Sequence, residues 1–378
     1  MHEYLFSNII HYEYFRVTYI SAIETGVPAY KHNQKVFSEF YARSTDDTEI
    51  QRKIKIIGTK TGIETRHSVL KDFSVSTSEF KFFPKCESLL PEPSLTKRMD
   101  IYNHEALKLS IGTVLKIKNF ESIKSSITHI ITVTCTGLIA PGLDIQLAQA
   151  LQLNPTIDRC SINFMGCNAA ILALKQADAI CKSNNNARVL VVCTELCSIH
   201  FQKNYSDDYI ISNQLFGDGC AVVLVEATPN KYQDKDLIKL NGFHSLLLHE
   251  GANDMAWQLS ETGFKMNLTS YVSDLINGNI KSMLESINVQ SENIDLWAVH
   301  PGGKKIIDGF CDALNLNAEK LKSSYEVLRD YGNMSSPTVL FVLKNLLEKN
   351  THPTIGQSIF VAAFGPGLSI ETLKLMYA

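Results

Sequence analysis

From about residue 100 onward, the chain alternates between short apolar runs and longer segments with helical periodicity. Residues 128–135 and 188–195 are rich in isoleucine and valine, as buried strands are. Between these runs, apolar residues recur at helical spacing from 168 to 182, at positions 171, 174, 177, 180 and 181. Such alternation predicts an α/β fold in which helices cover largely parallel sheets.

The same alternation returns in the last third of the chain, after a polar stretch at 228–236. One helix is predicted to start with Ser336 as its N-cap and Pro337 at its first helical position. Before the alternating region, the basic segment 52–63 predicts a helix that stops near Gly58. The other predicted elements are helices from Leu143 and at 304–314, and strands at 159–166, within 215–227, and at 295–300, 358–364 and 368–376.

The charge balance gives no reason to expect a polyanionic partner. With 378 residues and a formal net charge of −3, the chain is expected to bind neither nucleic acid nor an anionic membrane. No apolar run reaches the roughly 18 residues of a membrane span, and the N-terminus has no signal-peptide pattern. We therefore expect a cytoplasmic protein.

The cysteine content predicts free thiols. Nine cysteines are an odd number in a long chain, which disfavours a disulfide framework. Cys193 and Cys197, followed by His200, have a spacing that approaches a metal site. No second ligand pair follows at zinc-site spacing, so we expect core or pocket cysteines there and no metal.

A glycine-cysteine pair lies where the strand predicted at 159–166 meets the following helix. The unpaired N–H groups and the positive end of the helix dipole favour a thiolate at Cys167, and the same N–H groups suit an oxyanion. Gly166 would allow a tight turn or a close approach of substrate. Taken alone, a cysteine at a strand end is more often structural than catalytic.

Two later segments supply partners for this thiol. The segment WAVHPGG places His300 at the C-terminal end of a strand, where α/β proteins build their sites. The segment YGNMSSP places Asn333 in a loop immediately before a helix, where asparagine also serves as an ordinary turn residue. A thiol, an imidazole and an amide donor together match nucleophilic catalysis by an activated cysteine.

Seven segments carry a family resemblance, in order between about 128 and 372: TCTGLIAPGLD, NFMGCNAAILAL, ARVLVVCTEL, LFGDGCAVVLV, WAVHPGG, GNMSSPTVLFVL and FGPGLSIET. Together they resemble the type III polyketide synthases of the bacterial type, within the chalcone-synthase-like branch of the thiolase-fold condensing enzymes. The resemblance implies a five-layered α-β-α-β-α thiolase fold of two similar halves, 1–228 and 229–378. The first half would carry Cys167, and the second half His300 and Asn333.

The resemblance also implies a mechanism. Cys167 would take the acyl group of a CoA starter as a thioester, with His300 as the imidazolium partner of its thiolate. His300 and Asn333 would then stabilise the enolate that malonyl-CoA leaves after losing CO2. Repeated condensation and cyclisation would complete the product without a metal or a resident cofactor. Family members are homodimers that act on small CoA thioesters, and Ala140 would reach less far into the partner's cavity than the methionine of plant members.

Further positions follow from the same resemblance. Phe216 would stand between the CoA entrance and the cavity, although an aromatic beside a turn is also an ordinary core residue. Trp257 replaces a glycine of the plant cavity and would shorten the product to a pyrone or small resorcinol, unless its ring points outward. Lys53 and Lys60 match cations that hold CoA phosphates, or else belong to a solvated helix face. The remaining pocket positions are Cys135, Ala140, Cys197, His200, Met266 and Ser335, of which Ala140 and the cysteines would admit an alkyl starter if they opened another tunnel.

Two other functions stay open from the sequence. A ketoacyl-carrier-protein synthase of the fatty-acid-initiation type also uses cysteine, histidine and asparagine, although HPGG and GNMSSP favour the polyketide branch. A non-catalytic thiolase-fold partner protein would be indicated by loss of Cys167, His300 or Asn333, all of which are present. A papain-like protease uses the same residue types but lacks the strand-Gly-Cys-helix setting.

Overall fold

A computed structural model describes residues 17–227, 237–269 and 271–378 of the chain. The predicted boundary between the halves, at 228/229, lies outside the described residues and stays a prediction. The strands are β1 (Thr18–Gly26), β2 (Tyr30–Asn33), β3 (Thr65–Ser68), β4 (His129–Thr134), β5 (Asp158–Asn163), β6 (Arg188–Leu196), β7 (Asp218–Glu226), β8 (Ile238–Leu247), β9 (Met255–Ser260), β10 (Gly263–Leu268), β11 (Leu296–Val299), β12 (Ser358–Gly365) and β13 (Ser369–Tyr377). The helices are α1 (Gln34–Arg43), α2 (Thr48–Lys60), α3 (Leu95–Val114), α4 (Phe120–Ile123), α5 (Leu143–Ala150), α6 (Ala169–Ser183), α7 (Asp207–Leu215), α8 (Tyr271–Ser286), α9 (Lys304–Leu314), α10 (Lys322–Tyr331) and α11 (Thr338–Lys349). Across these described ranges, no helix has both the length and the apolar character needed to span a membrane.

One large sheet organises the described residues, in the strand order β11-β12-β13-β8-β1-β7-β6-β4-β5. Its pairs β11–β12, β4–β5 and β4–β6 are parallel. The other pairs are antiparallel, namely β12–β13, β13–β8, β8–β1, β1–β7 and β7–β6. The prediction of largely parallel sheets is therefore wrong. Strands distant in sequence pair in the middle of the sheet, and local periodicity carries no information about their direction.

Five layers follow from the way apolar side chains divide among separate cores. Helices α6 and α11 pack in the same core, through Leu174 and Leu343, with strands from both ends of the sheet on either side. Helix α5 packs through Leu147 on the outer face of β4, β6 and β7. Helices α8 and α9 pack through Ile276 and Phe310 on the outer face of β11 and β12. The resulting α-β-α-β-α order confirms the predicted thiolase fold of two similar halves.

The basic helix α2 is longer than predicted. It continues through Gly58 and ends at Lys60, so the predicted stop near Gly58 is wrong. Gly58 lets helix α2 pack closely against Ser38 of α1, because a Cβ at Gly58 would lie 2.3 Å from the Oγ of Ser38. A glycine inside a helix costs about 1 kcal/mol relative to alanine, a cost that is accepted where the packing requires it.

The start of α11 also differs from its prediction. The helix begins at Thr338 with Pro337 as its N-cap, one residue later than expected. Ser336 does not cap the helix, because its Oγ donates to the buried carboxylate of Glu195 at 2.7 Å. The Ser336 hydroxyl therefore satisfies a buried carboxylate and does not cap the helix. The local capping pattern gave no sign of this contact.

Candidate active site

The turn that carries Cys167 lies between β5 and α6 and is shaped by Gly166. Gly166 has a φ of +86°, and a Cβ there would lie 1.9 Å from the Cδ of Pro366, so the position requires glycine. Pro366 belongs to the turn between β12 and β13, which means that the second half of the molecule contacts the turn. Cys167 is 7% exposed and lies two residues before α6. Its predicted place at a helix N-terminus is confirmed.

The second half of the molecule supplies an imidazole and an amide. His300 directly follows β11, and its backbone N–H donates to the carbonyl of Ala362 at 2.8 Å. Its ring is 1% exposed, and neither ring nitrogen has a hydrogen-bond partner among the described residues. Asn333 Oδ1 accepts from the N–H of Ser335 at 2.8 Å, and Nδ2 donates to the carbonyl of Gly302 at 3.2 Å. The amide also makes a hydrogen bond with the thiol of Cys167, which acts against the effect of burial on the pKa of that thiol.

Cys167, His300 and Asn333 line one cleft with a volume of about 270 Å³. The thiol of Cys167 donates to the Oγ of Ser335 at 3.6 Å. Ser335 thus contacts both the nucleophile and the loop of the asparagine. Other walls of the cleft are Ile57, Lys60, Ile211, Leu215, Phe216, Met266, Lys304, Lys305 and Ile306.

The charges expected at the nucleophile differ from those that the structure favours. Burial raises the pKa of the Cys167 thiol to about 12, and the contact with Ser335 acts in the opposite direction. Burial lowers the pKa of His300 to about 3. Burial thus favours a neutral thiol and a neutral imidazole in the unliganded site, and the expected lowering of the Cys167 pKa stays a prediction. Both ring nitrogens of His300 lack a partner among the described residues, so the ring offers a lone pair for a proton once substrate changes its surroundings.

A buried carboxylate beneath the site was missed by sequence reasoning. Glu195 on β6 is fully buried and accepts hydrogen bonds from the N–H of Cys135 at 2.9 Å, the hydroxyl of Thr136 at 2.8 Å and that of Ser336 at 2.7 Å. Burial raises its pKa to about 7. It joins the loop after β4 to the loop before α11. A glutamate inside an apolar strand is rare without partners, and that pattern was the available signal.

A second, smaller cavity of about 30 Å³ lies beside the cleft. Phe216 and Met266 line both spaces, while Cys197, His200 and Trp257 line only the smaller one. A volume of this size holds about one water molecule. Phe216 therefore lies between the two spaces, and its role as a gate for the CoA entrance stays a prediction.

Comparisons with known proteins identify the family. The family model for the N-terminal domain of chalcone and stilbene synthases matches residues 16–229, and the model for their C-terminal domain matches 241–377. This chain belongs to the chalcone and stilbene synthase family. It is a type III polyketide synthase, a condensing enzyme of the acyltransferase class. The more specific prediction of a bacterial-type member stays a prediction.

Two solved structures are similar over nearly the whole chain. PKS-I from the brown alga Ectocarpus siliculosus is 24% identical with a TM-score of 0.88, over 96% of this chain and 98% of that one. The C-terminal type III polyketide synthase domain of Steely1, a type I/III hybrid from Dictyostelium, is 26% identical with a TM-score of 0.85. That match covers 96% of this chain and 99% of the Steely1 domain.

In this polyketide synthase, Trp257 points inward. Its Nε1 donates to the carbonyl of Cys135 at 2.9 Å. Its ring lies edge-on to those of His200 and Phe264, with centroids 6.0 and 5.9 Å away. Met266 is its partner across the β9–β10 hairpin. The alternative of an outward-pointing tryptophan is therefore wrong, and the indole helps to fill the smaller cavity.

His200 forms a wall of that cavity and keeps a fixed tautomer. Its Nδ1 accepts from the N–H of Phe264 at 3.3 Å, and its Nε2 donates to the carbonyl of Thr136 at 2.8 Å. The imidazole also stacks on the ring of Phe264, with centroids 4.1 Å apart. Burial lowers its pKa to about 3, so the ring stays neutral near pH 7. We therefore interpret His200 as a structural residue, because both of its ring nitrogens already have hydrogen-bond partners.

A second residue that sequence reasoning missed supports Phe216. Arg66 is buried, and its Nη1 donates to the carbonyls of Asn213 at 2.9 Å and Phe216 at 2.5 Å. These carbonyls end α7, where helix carbonyls lack partners within the helix. Arg66 thereby fixes the backbone of the residue between the two spaces. Its distance in sequence from α7 left no local signal.

Four predicted residues line neither space, namely Cys135, Ala140, Lys53 and Ser335, the last of which contacts Cys167 from behind the cleft wall. Cys135 lines neither cavity, and its Sγ instead accepts from the N–H of Gly166 at 3.1 Å, which supports the nucleophile turn. Ala140 is exposed to solvent and lines neither cavity, so these two positions open no further tunnel into them. Lys53 is bonded to Asp207 and does not line the cleft, whereas Lys60 does.

Proposed function

We propose that this polyketide synthase condenses malonyl-CoA onto an acyl-CoA starter held as a thioester on Cys167. The observation that carries the proposal is the meeting of Cys167, His300 and Asn333 in one cleft. At its buried end the cleft contains His300, whose ring nitrogens have no partner among the described residues, and its other end is lined by exposed lysines. The substrates are CoA thioesters, and we expect no resident metal or cofactor.

Loading begins with transfer of the Cys167 proton to His300. The ring of His300 has an unused lone pair and lines the same cleft as Cys167, so it is the acceptor we assign to the thiol proton. The thiolate attacks the carbonyl carbon of the acyl-CoA, a carbon–sulfur bond forms, and the bond to the CoA sulfur breaks. CoA leaves as the thiol with the proton that His300 held.

Extension needs hydrogen-bond donors for an enolate. Malonyl-CoA loses CO2, and the electron pair moves onto the thioester oxygen. The N–H of Asn333 that contacts the Cys167 thiol and an N–H of His300 would donate to that oxygen, and such donors are most effective in a buried site. The enolate carbon then attacks the carbonyl carbon of the Cys167 thioester. A carbon–carbon bond forms, the bond between that carbonyl and Sγ breaks, and Cys167 leaves as the thiolate. The chain, longer by two carbons, is now a CoA thioester that can be loaded onto Cys167 again.

The small cavity supports a short product. A space of about 30 Å³ beyond Phe216 does not admit a long folded polyketide while Trp257 keeps its bond to Cys135. We propose few extensions, giving a triketide or tetraketide pyrone or a small resorcinol. The identity of the starter is not part of this proposal.

We also propose a homodimer, located in the cytoplasm. Strand β5 forms one end of the large sheet, and Leu138 and Met165 near it are 46% and 48% exposed. Ala140 lies in the same exposed loop. Sheet edges with neighbouring exposed apolar residues favour association. Light scattering should give about twice the 42.2 kDa of one chain, and all nine cysteines are free thiols, as is usual for cytoplasmic proteins.

The variant Cys167→Ala tests the proposed function. We expect loss of polyketide by at least about a thousandfold, because the growing chain has no attachment point. Slow release of CO2 from malonyl-CoA should remain, since His300 and Asn333 are intact. Mass spectrometry of the intact wild type after brief exposure to acetyl-CoA should show one acetyl group, which the variant lacks.

Two outcomes would contradict the assignment. Product formation by Cys167→Ala at a rate near that of the wild type would exclude Cys167 as the nucleophile. A wild type that uses malonyl-carrier-protein but not malonyl-CoA would favour the ketoacyl-carrier-protein synthase over the polyketide synthase.

A further inference from the structure

Two separate segments of the chain help to enclose the smaller cavity. The short turn from Cys197 to His200, here called the His200 turn, forms one part of its wall. The β9–β10 hairpin forms another part of the wall through Trp257 and Met266. The room in this cavity therefore depends on how the His200 turn and the hairpin are held relative to each other.

Arg98 holds the backbone of the His200 turn from outside the cavity. It lies near the start of α3, is fully buried and does not line either space. Its Nη1 donates to the carbonyl of Phe201 at 2.9 Å and to that of Ile199. These two residues flank His200, so one nitrogen of the guanidinium fixes the backbone on both sides of the imidazole. Hydrogen bonds from a charged donor are roughly twice as strong as neutral ones.

The β9–β10 hairpin packs against the same arginine. Gly263 at the start of β10 has a φ of +139°, and a Cβ there would lie 3.1 Å from the Nε of Arg98. The turn of the hairpin is also bonded to α3, because the N–H of Leu95 donates to the carbonyl of Glu261 at 3.2 Å. Arg98 thus contacts both segments that help to enclose the smaller cavity, although it does not line the cavity itself.

The buried charge of Arg98 depends on these carbonyls for its stabilisation. Burial lowers the pKa of Arg98 to about 10, so the guanidinium is still charged near pH 7. Its Nε donates to the carbonyl of Pro93 at 3.1 Å, and the carboxylate of Glu92 lies 3.8 Å from its Nη2. A buried cation is unfavourable unless oxygen atoms accept from it, so the carbonyls of Ile199 and Phe201 are held at the guanidinium. Loss of the guanidinium should therefore release the His200 turn.

We propose that Arg98 is a positioning residue that keeps the products short by holding the His200 turn against the β9–β10 hairpin. This inference rests on the proposed function, because it concerns the length of the same products. When the guanidinium is lost, the carbonyls of Ile199 and Phe201 lose their buried donor and the His200 turn moves outward. The cavity beyond Phe216 then admits a longer chain, although the residues of its lining are unchanged.

The first test compares the products of Arg98→Lys and Arg98→Met with those of the wild type, made from acetyl-CoA and malonyl-CoA, by liquid chromatography with mass spectrometry. Lysine keeps the charge without the planar fork of donors, and methionine keeps only an apolar stem. The ratio of products one malonyl unit longer to the wild-type product should rise about fivefold in Arg98→Lys, as expected for the loss of one charged hydrogen bond, and further in Arg98→Met. The value of kcat should change less than this ratio.

Arg188→Lys is the matched control for these variants. The side chain of Arg188 is also largely buried and pairs with Glu226, but it lies at the start of β6 and does not line the smaller cavity. The same replacement there should lower stability without moving the His200 turn. The product ratio of Arg188→Lys should therefore equal that of the wild type.

A labelling experiment tests the same contact without turnover. Cys197 in the His200 turn and Cys311 on α9 are both 7% exposed. Iodoacetamide should modify Cys197 in Arg98→Lys at least about fivefold faster than in the wild type, because the turn opens locally. The rate at Cys311 should not change, since α9 packs in a different core of the protein. Mass spectrometry of peptides gives both rates from one sample.

Two results would overturn the assignment of Arg98. One is a product ratio in the folded Arg98 variants equal to that of Arg188→Lys. The other is labelling of Cys197 that stays at the wild-type rate or quickens together with that of Cys311, which would indicate general destabilisation. If Arg98→Met does not fold, Arg98→Lys alone decides both measurements. If the wild type makes no polyketide, the proposed function fails, and the labelling of Cys197 still shows whether Arg98 holds the turn.

Discussion

The two spaces on either side of Phe216 and Met266 are built for different tasks. The cleft of about 270 Å³ holds the thiol, the imidazole and the amide, and it opens past apolar walls to lysines. The cavity of about 30 Å³ has an aromatic lining that includes His200 and Trp257. The first space has room for a substrate, whereas the second has room for about one water molecule.

The catalytic chemistry and the size of the product are therefore expected to depend on separate parts of this site. The residues of the cleft come from turns and strand ends whose geometry is fixed by backbone contacts, as at Gly166 and Pro366. The smaller cavity is lined by side chains that pack on one another, above all Trp257 against Phe264 and His200. Changes in the cleft should therefore alter rates, and changes in the cavity should alter products.

The largest effect is expected on the cleft side of this comparison, from His300→Gln. Polyketide synthesis should fall about a thousandfold, because the variant loses both the proton acceptor and an enolate donor. Inactivation by iodoacetamide should also move to higher pH and slow at least about tenfold at pH 7. The reason is that burial alone raises the pKa of Cys167 to about 12, and no base remains to take its proton.

The pH profile separates this role from a merely structural one. A wild-type profile that rises at the same pH as the profile of His300→Gln would show that His300 does not ionise the thiol. Retention of the product pattern in the residual activity is expected, since the walls of the smaller cavity are unchanged.

Sequence reasoning found the cleft because its residues carry local signals. A glycine-cysteine pair after an apolar run, a histidine at a strand end and an asparagine before a helix are each visible within about ten residues. The helix α9 was predicted with its observed bounds for the same reason, as it has strong periodicity and a glycine turn before it. The family resemblance then joined these separate signals into one site.

What the sequence missed depends on residues that are far apart. The pairing of Lys53 with Asp207 joins positions 154 residues apart, and no periodicity predicts it. The strand directions in the sheet follow from pairs such as β1 with β7, which are separated by most of the first half. The volume of the smaller cavity depends on rings from several segments, so the resemblance suggested a filled cavity but could not orient Trp257.

The second prediction concerns the smaller cavity. Trp257→Gly removes the indole, its bond to Cys135 and its contacts with Phe264, so the space beyond Phe216 should enlarge. We expect products longer by at least one malonyl unit on the same starter, measured by liquid chromatography with mass spectrometry. Synthesis should continue, because the cleft is untouched, although a loss of about 2–4 kcal/mol in unfolding free energy is expected from the missing ring.

The control for this change keeps a ring at the position. Trp257→Phe should give the wild-type products, since an aromatic group still occupies the space. An unchanged product distribution in Trp257→Gly, with intact turnover, would show that the indole does not limit chain length. Products that lengthen equally in both variants would assign the effect to the lost hydrogen bond with Cys135.

The smallest effect on synthesis is expected at Glu195, which joins the walls of the two spaces. Its carboxyl bonds to the loop of Cys135 on one side and to Ser336 on the other. In Glu195→Gln the side-chain oxygen still accepts from Cys135 and Thr136, and the amide donates to Ser336. The arrangement of both loops should survive, so the product pattern should stay that of the wild type.

The pH dependence of the unfolding free energy should instead differ between the wild type and Glu195→Gln, because only the wild type has a buried carboxyl at position 195. Burial raises the pKa of Glu195 from 4.5 to about 7, so the folded protein binds the proton more tightly than the unfolded chain. The resulting stabilisation is complete below pH 4.5 and is lost as the pH rises through about 7, a total of about 3 kcal/mol.

The variant Glu195→Gln has no titrating proton at this position. The unfolding free energy of the wild type minus that of the variant, from urea titrations at each pH, should therefore fall between pH 4.5 and 7. Asp218, whose pKa burial raises to about 6, is present in both proteins and cancels. A difference that stays constant over this range would show that Glu195 is ionised throughout, with its hydrogen bonds outweighing burial.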